Sequence, residues 1–129
     1  MPRKVKRLTQ ARAEKAKEWA KRHFGLDAWN ISIECTDEVP EWADGEGYAR
    51  SRLGRCAYWV DEHAAKVWVG PGNCARGKYN GVQIVMHEMV HVFFGSVGVA
   101  IQIAEEFAID RMADGLACAF EHGMKPWRA

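Results

Sequence analysis

Alternation of apolar and polar residues first appears in the segment 29–35. There Trp29, Ile31, Ile33 and Cys35 alternate with polar residues, which is the two-residue period of a half-buried strand. Two further apolar runs, at residues 55–60 and 65–69, have the length and the β-branched or aromatic content of strands. The pattern therefore predicts a small sheet of about three strands, in which a hairpin lies beside the first strand.

Three longer stretches have the period of a helix. The first, residues 9–24, opens on a threonine of the kind that caps helix N-termini. The second, residues 81–94, lies between Asn80 and Gly95, residue types that begin and end helices, and is apolar on all sides. The third spans residues 101–120. Because so short a turn joins the last two helices, we expect them to lie side by side.

The order of helix, strands, helix and helix contains no repeat and no long linker. Residues 1–129 are therefore predicted to form one α+β domain, with a flexible basic segment at residues 1–8. The apolar fraction of 48% and the charged fraction of 27% are typical of soluble globular proteins. No signal-peptide pattern opens the chain and no apolar stretch is long enough to cross a bilayer. We expect a cytoplasmic protein without membrane contact.

The cysteines form no pair with the spacing of a zinc ribbon. They are Cys35, Cys56, Cys74 and Cys118. Without a secretory signal, reduced thiols are the favoured interpretation.

The candidate chemistry lies in the predicted helix 81–94. His87 and His91 are four residues apart, so both imidazoles can reach one metal ion from the same helix face. Glu88 is turned about 100° around the axis, where it can reach a water on the metal. This is the HExxH pattern of zinc hydrolases. The alternative, two histidines satisfied in the core, is disfavoured by the position of the motif in a capped, apolar helix.

A catalytic zinc ion needs a third protein ligand, and the last predicted helix offers Glu105 and Glu106. Glu106 is favoured because Asp110 follows it by four residues, on the same face, where it can orient a ligand histidine. Glu105 remains an alternative. A second alternative is that both glutamates are surface acids beside Arg111.

HExxH followed by a helix with ExxxD resembles the gluzincin branch of zinc metallopeptidases. The compact order of elements is similar to the small single-domain members of that branch, including phage-encoded ones. The resemblance implies a zincin-like fold in which His87, His91 and Glu106 bind zinc. It also implies that Glu88 is the general base and that Asp110 orients a ligand from outside the metal's own shell.

The same resemblance implies a zinc-dependent metallopeptidase with a peptide or protein substrate. In that family the substrate extends along an edge strand, which here would run from Lys66 to Gly70. The family also uses a histidine or tyrosine to stabilise the oxyanion. The sequence does not choose between the candidates, which are Tyr58, Tyr79, His63 and His122.

A second functional hypothesis follows from the charge distribution. Residues 1–24 contain nine lysines and arginines against two glutamates, whereas the remainder contains nine basic and fifteen acidic residues. A zinc-stabilised but non-catalytic module could use this basic helix to contact nucleic acid or a regulator, through Lys4, Lys6, Arg7 and Arg12. A solvated helix face is the favoured interpretation, because no aromatic or glycine pattern accompanies the charge.

Overall fold

A computed structural model describes residues 6–43, 52–99 and 105–127. Within these ranges the chain forms four α-helices and a three-stranded mixed sheet, which confirms the α+β prediction. The elements are α1 (Gln10–His23), β1 (Asn30–Cys35), β2 (Gly54–Trp59), β3 (Ala64–Val69), α2 (Pro71–Arg76), α3 (Gly81–Ser96) and α4 (Glu106–Glu121). Most of the segment predicted to be flexible, residues 1–8, lies outside the described residues, as does the predicted start of the last helix at residue 101.

The sheet has the strand order β1-β3-β2, with β1 parallel and β2 antiparallel to β3. The prediction that Lys66 to Gly70 forms an edge strand is therefore wrong. Both hydrogen-bonding sides of β3 are already paired, so an extended peptide cannot add there. The physical reason is burial: Val67, Trp68 and Val69 are fully buried, and the most apolar strand occupies the centre of the sheet.

Helix α3 lies at the centre of the molecule, against α1, α4 and the sheet. Its amino terminus is capped as predicted, because the Asn80 side chain accepts a hydrogen bond from the Val82 backbone N–H at 3.0 Å. Ten of its sixteen residues are buried. This burial fixes the helix that carries the HExxH motif in the core.

The prediction that α3 ends at Phe94 is wrong, because the helix continues through Gly95 to Ser96. The ring of Tyr58 on β2 packs directly on Gly95, where a Cβ atom would collide with it. Gly95 thus serves close packing, and the glycine with the left-handed backbone that follows the helix is Gly98, with φ of 75°.

The segment from Gly70 to Asn73 has the glycine, proline and asparagine content typical of a turn, but it begins the short helix α2, with Pro71 at its first position. The carboxylate of Asp37 accepts a hydrogen bond from the Gly72 backbone N–H at 2.6 Å. That contact joins the end of β1 to α2, a connection that the local sequence does not reveal.

Helix α1 covers the outer edge of β1. The Lys17 ammonium donates to the Ile31 carbonyl at 2.9 Å, and the Gln10 amide donates to the Ile33 carbonyl at 2.8 Å. Gln10 also accepts from the Cys35 backbone N–H at 2.8 Å. These side chains occupy groups that an added strand would use, so this edge is closed. None of the helices in the described ranges has the length and apolarity needed to span a membrane.

Candidate metal centre

Three potential metal ligands converge where α3 packs beside α4. His87 and His91 lie one turn apart on the face of α3 toward α4, and Glu106 is the first residue of α4. Glu106 Oε2 lies 3.0 Å from His87 Nε2, and its Oε1 lies 3.0 Å from His91 Nε2. The two Nε2 atoms are 3.2 Å apart. The side chains of His87 and His91 are only 17% and 20% exposed.

Asp110 fixes the orientation of His87. Its Oδ1 atom lies 2.8 Å from His87 Nδ1. An ionised carboxylate can only accept a hydrogen bond, so Nδ1 carries the imidazole proton and Nε2 presents its lone pair to the cluster. This is the arrangement in which a carboxylate orients a metal-binding histidine.

The donor set fits a divalent metal. Four-coordinate zinc binds nitrogen and oxygen at about 2.0–2.2 Å, which places neighbouring ligand atoms about 3.3–3.6 Å apart. The separations of 3.0–3.3 Å between the two imidazoles and the carboxylate lie within a few tenths of an ångström of that spacing. Lone pairs of nitrogen and oxygen repel one another at this distance unless a cation or proton lies between them. His87, His91 and Glu106 can therefore hold a metal ion.

Glu88 is buried against β2 on the inner side of this cluster, with 8% of its surface exposed. A Cβ atom on Gly54 would lie 3.5 Å from Glu88 Cγ and 2.6 Å from Ile84 Cγ2, so the missing side chain allows β2 to approach α3 here. Burial raises the pKa of Glu88, an effect that the neighbouring His87 and His91 oppose. The environment therefore favours proton uptake by this carboxylate more than water does.

An open cleft of about 890 Å³ reaches His87 and Glu88 from the solvent. Its walls include two exposed aromatic rings, Tyr79 before α3 and Phe107 on α4. The guanidinium of Arg111 lies over the Phe107 ring, 5.0 Å from its centroid. A ligand as large as a short peptide segment can enter this cleft and reach His87 and Glu88.

The four residues that the sequence offered as candidates for stabilising an oxyanion lie in different parts of the structure. Tyr79 lines the cleft beside His87. Tyr58 packs on Gly95, His63 stacks on Trp29 with ring centroids 5.5 Å apart, and His122 contacts Cys118 at the end of α4. Of the four, Tyr79 is the one among the cleft-lining residues.

A further residue beside Glu88 is Cys56, which no sequence motif singles out and which faces Glu88 from β2. The only local signal is that Gly54, Cys56 and Tyr58 alternate along β2 and so share one face. Nothing in the sequence says that this face meets α3. All four cysteines are free thiols, as predicted.

Two of the basic residues in the predicted nucleic-acid contact have partners within the protein. Arg7 forms an ion pair with Asp37 at 2.6 Å, and the guanidinium of Arg12 lies 5.0 Å from the centroid of the Phe120 ring. Lys17, on the same helix, is buried. Lys4 lies outside the described residues.

Comparisons of the chain with protein-family models, with curated proteins and with solved structures find no match.

Proposed function

We propose that the protein is a zinc-dependent metallopeptidase. The observation that carries the proposal is the convergence of His87 Nε2, His91 Nε2 and the Glu106 carboxylate at 3.0–3.3 Å, with Glu88 buried next to them. Two imidazoles and one carboxylate form one of the standard ligand sets of catalytic zinc, which leaves a fourth position for water or substrate. The HExxH spacing and the position of Asp110 behind His87 support the same conclusion.

Zinc bound at this site would lower the pKa of a coordinated water molecule and polarise a substrate carbonyl. Glu88 accepts the proton of the attacking water and later returns it to the leaving amine, as a general base and then a general acid. Its raised pKa suits this role, because a carboxyl group buried from water holds a transferred proton more firmly. Asp110 keeps the lone pair of His87 directed at the ligand cluster.

A peptide substrate would lie in the cleft between α3 and α4. Gln83, one turn before His87, offers an amide to a substrate backbone, and the Tyr79 and Phe107 rings offer apolar surface to its side chains. Because β3 is paired on both sides, substrate binding along Lys66 to Gly70 is not part of this proposal.

A non-catalytic module that binds nucleic acid is less well supported. Arg7 and Arg12 are held by Asp37 and Phe120, so neither presents a freely mobile cation. Phosphate contacts would have to displace these partners. Glu106 and Asp110, the two carboxylates beside His87, would have no role in the binding of nucleic acid.

The test is elemental analysis and peptide hydrolysis on the same preparation. We expect one zinc per chain, cleavage of a peptide library that stops after chelation, and recovery when zinc is restored. His91→Ala should lose both metal and cleavage. Failure to bind zinc at micromolar concentration would overturn the metal site. Stoichiometric zinc without cleavage of any peptide would overturn the peptidase assignment but keep the site.

A further inference from the structure

Strand β2 and helix α3 touch along three consecutive inward positions of the strand. Gly54 lies against Ile84 and Glu88, and Tyr58 lies against Gly95. Cys56 stands between these two contacts on the same face of β2, where it interacts with Glu88. Glycine occurs at both ends of this seam, where a larger residue would push strand and helix apart. The position of Cys56 relative to Glu88 is therefore set by backbone packing on both sides of the contact.

We propose that Cys56 is a positioning residue for Glu88, whose S–H group donates a hydrogen bond to one carboxylate oxygen and leaves the other oxygen directed at the metal site. The inference rests on the proposed role of Glu88 as general base. A carboxylate on a three-bond side chain can rotate about its last torsion, which has a broad energy minimum. A donor on the rigid strand removes that freedom before the substrate binds.

A thiol suits this task. Burial, together with the charge of Glu88, raises the pKa of Cys56 well above its usual range, so the sulfur keeps its proton at neutral pH. A thiol is also a weak donor, so it orients the carboxylate without strongly stabilising its charge. A lysine at this position would form an ion pair and make Glu88 a poorer base.

The alternative is that Cys56 only fills space between β2 and α3. Three substitutions separate the two roles. Cys56→Ser keeps a donor, Cys56→Val keeps apolar volume without a donor, and Cys56→Ala removes both. If Cys56 positions Glu88, serine should keep kcat within a few-fold, whereas valine and alanine should lower kcat about 10- to 100-fold at unchanged KM and zinc content. If valine matches or exceeds serine, the proposal is overturned.

Infrared spectroscopy tests the contact without any assay of activity. The S–H stretching band assigned to Cys56, identified by its loss in Cys56→Val, should shift when Glu88→Gln replaces the charged acceptor. The band of the exposed Cys118 should not shift, and Cys118→Ser should keep wild-type kcat. An unshifted Cys56 band would overturn the proposal. A shifted band in a protein that cleaves no peptide would support the contact and count against the proposed function alone.

Discussion

Two charged side chains are buried in the described part of the chain, Lys17 in α1 and Glu88 in α3. They differ in how far neighbouring groups compensate the charge. The Lys17 ammonium contacts three acceptors: Glu14 at 3.0 Å, Glu18 at 3.1 Å and the Ile31 carbonyl at 2.9 Å. Burial alone would lower the pKa of Lys17, but the hydrogen bonds and charges of the two glutamates outweigh it and raise the pKa. The charged form of Lys17 is therefore the stabilised form.

For Glu88 a raised pKa has the opposite meaning. Burial dominates over the favourable effects of His87, His91 and the Cys56 thiol, so the charged carboxylate is the disfavoured form. Glu88 is adjacent in α3 to His87, which belongs to the ligand cluster with His91 and Glu106, and both Glu88 and His87 line the cleft. A charge that the fold fully compensates belongs to the scaffold. A charge that it compensates incompletely, beside potential metal ligands, indicates a functional site.

The largest expected effect comes from Glu88→Gln, which keeps the size of the side chain and removes its charge. Peptide hydrolysis should fall about 1,000-fold with zinc content unchanged. The folded pKa of Glu88 lies above the unfolded value, so its ionisation at neutral pH costs stability. The thermal unfolding midpoint of the metal-free variant should therefore not fall below that of the wild type. Wild-type kcat in this variant would contradict the role of Glu88, and a lower midpoint would contradict the comparison with Lys17.

The next effect tests the ligand set around Glu88. Glu106→Ala should weaken zinc binding more than about 100-fold, because it removes the carboxylate that lies 3.0 Å from both imidazoles. Glu105→Ala is the matched control, one residue earlier and exposed, and should keep zinc affinity within about twofold. Competition with a chromogenic chelator measures both affinities. Equal losses in the two variants would contradict the assignment of Glu106, and not Glu105, as the carboxylate ligand.

A smaller effect is expected at Asp110, which touches a ligand and not the metal. Asp110→Ala should weaken zinc binding about tenfold, because His87 loses the acceptor that fixes its tautomer and ring orientation. Asp114→Ala, one turn further along α4 and also in the cleft lining, is the control. Similar losses at the two positions would indicate a general charge effect in the cleft. The same chelator titration supplies the measurement.

The sequence predicts those parts of the fold that depend on short-range patterns. The alternation at residues 29–35, the threonine and asparagine caps and the period of the helices are local, and they appear in the structure as predicted. The central position of β3, the helix α2 and the continuation of α3 through Gly95 depend on contacts with distant residues. Tyr58 and Asp37, which make two of those contacts, lie far from Gly95 and Gly72 in the chain.

The candidate site also has one part that local sequence patterns predict and one part that depends on contacts between distant residues. The four-residue spacing of His87 and His91, and of Glu106 and Asp110, is a property of single helices. The small number of residues between the two predicted helices led us to expect them side by side, and His87 does lie 3.0 Å from Glu106 and 2.8 Å from Asp110. Cys56 reaches Glu88 through the packing of a strand on a helix, for which the sequence carries no spacing rule. The convergence of His87, His91 and Glu106 was therefore predictable, whereas the approach of Cys56 to Glu88 was not.

The smallest effect concerns Lys17, the compensated charge. Lys17→Met should lower the free energy of unfolding by about 1 kcal/mol, because the Ile31 carbonyl loses its donor while the half-exposed Glu14 and Glu18 regain water. Zinc affinity should not change, and Lys15→Met, at an exposed position of the same helix, should have no effect. The folded pKa of Lys17 is raised, so its contribution is complete below the ordinary lysine pKa of about 10.4 and is lost as the pH rises through the folded value. Urea unfolding of wild type and variant should therefore differ at neutral pH and converge in strong alkali. A difference that persists after Lys17 has lost its proton would show that packing of its hydrocarbon stem, and not its charge, stabilises this edge of the sheet.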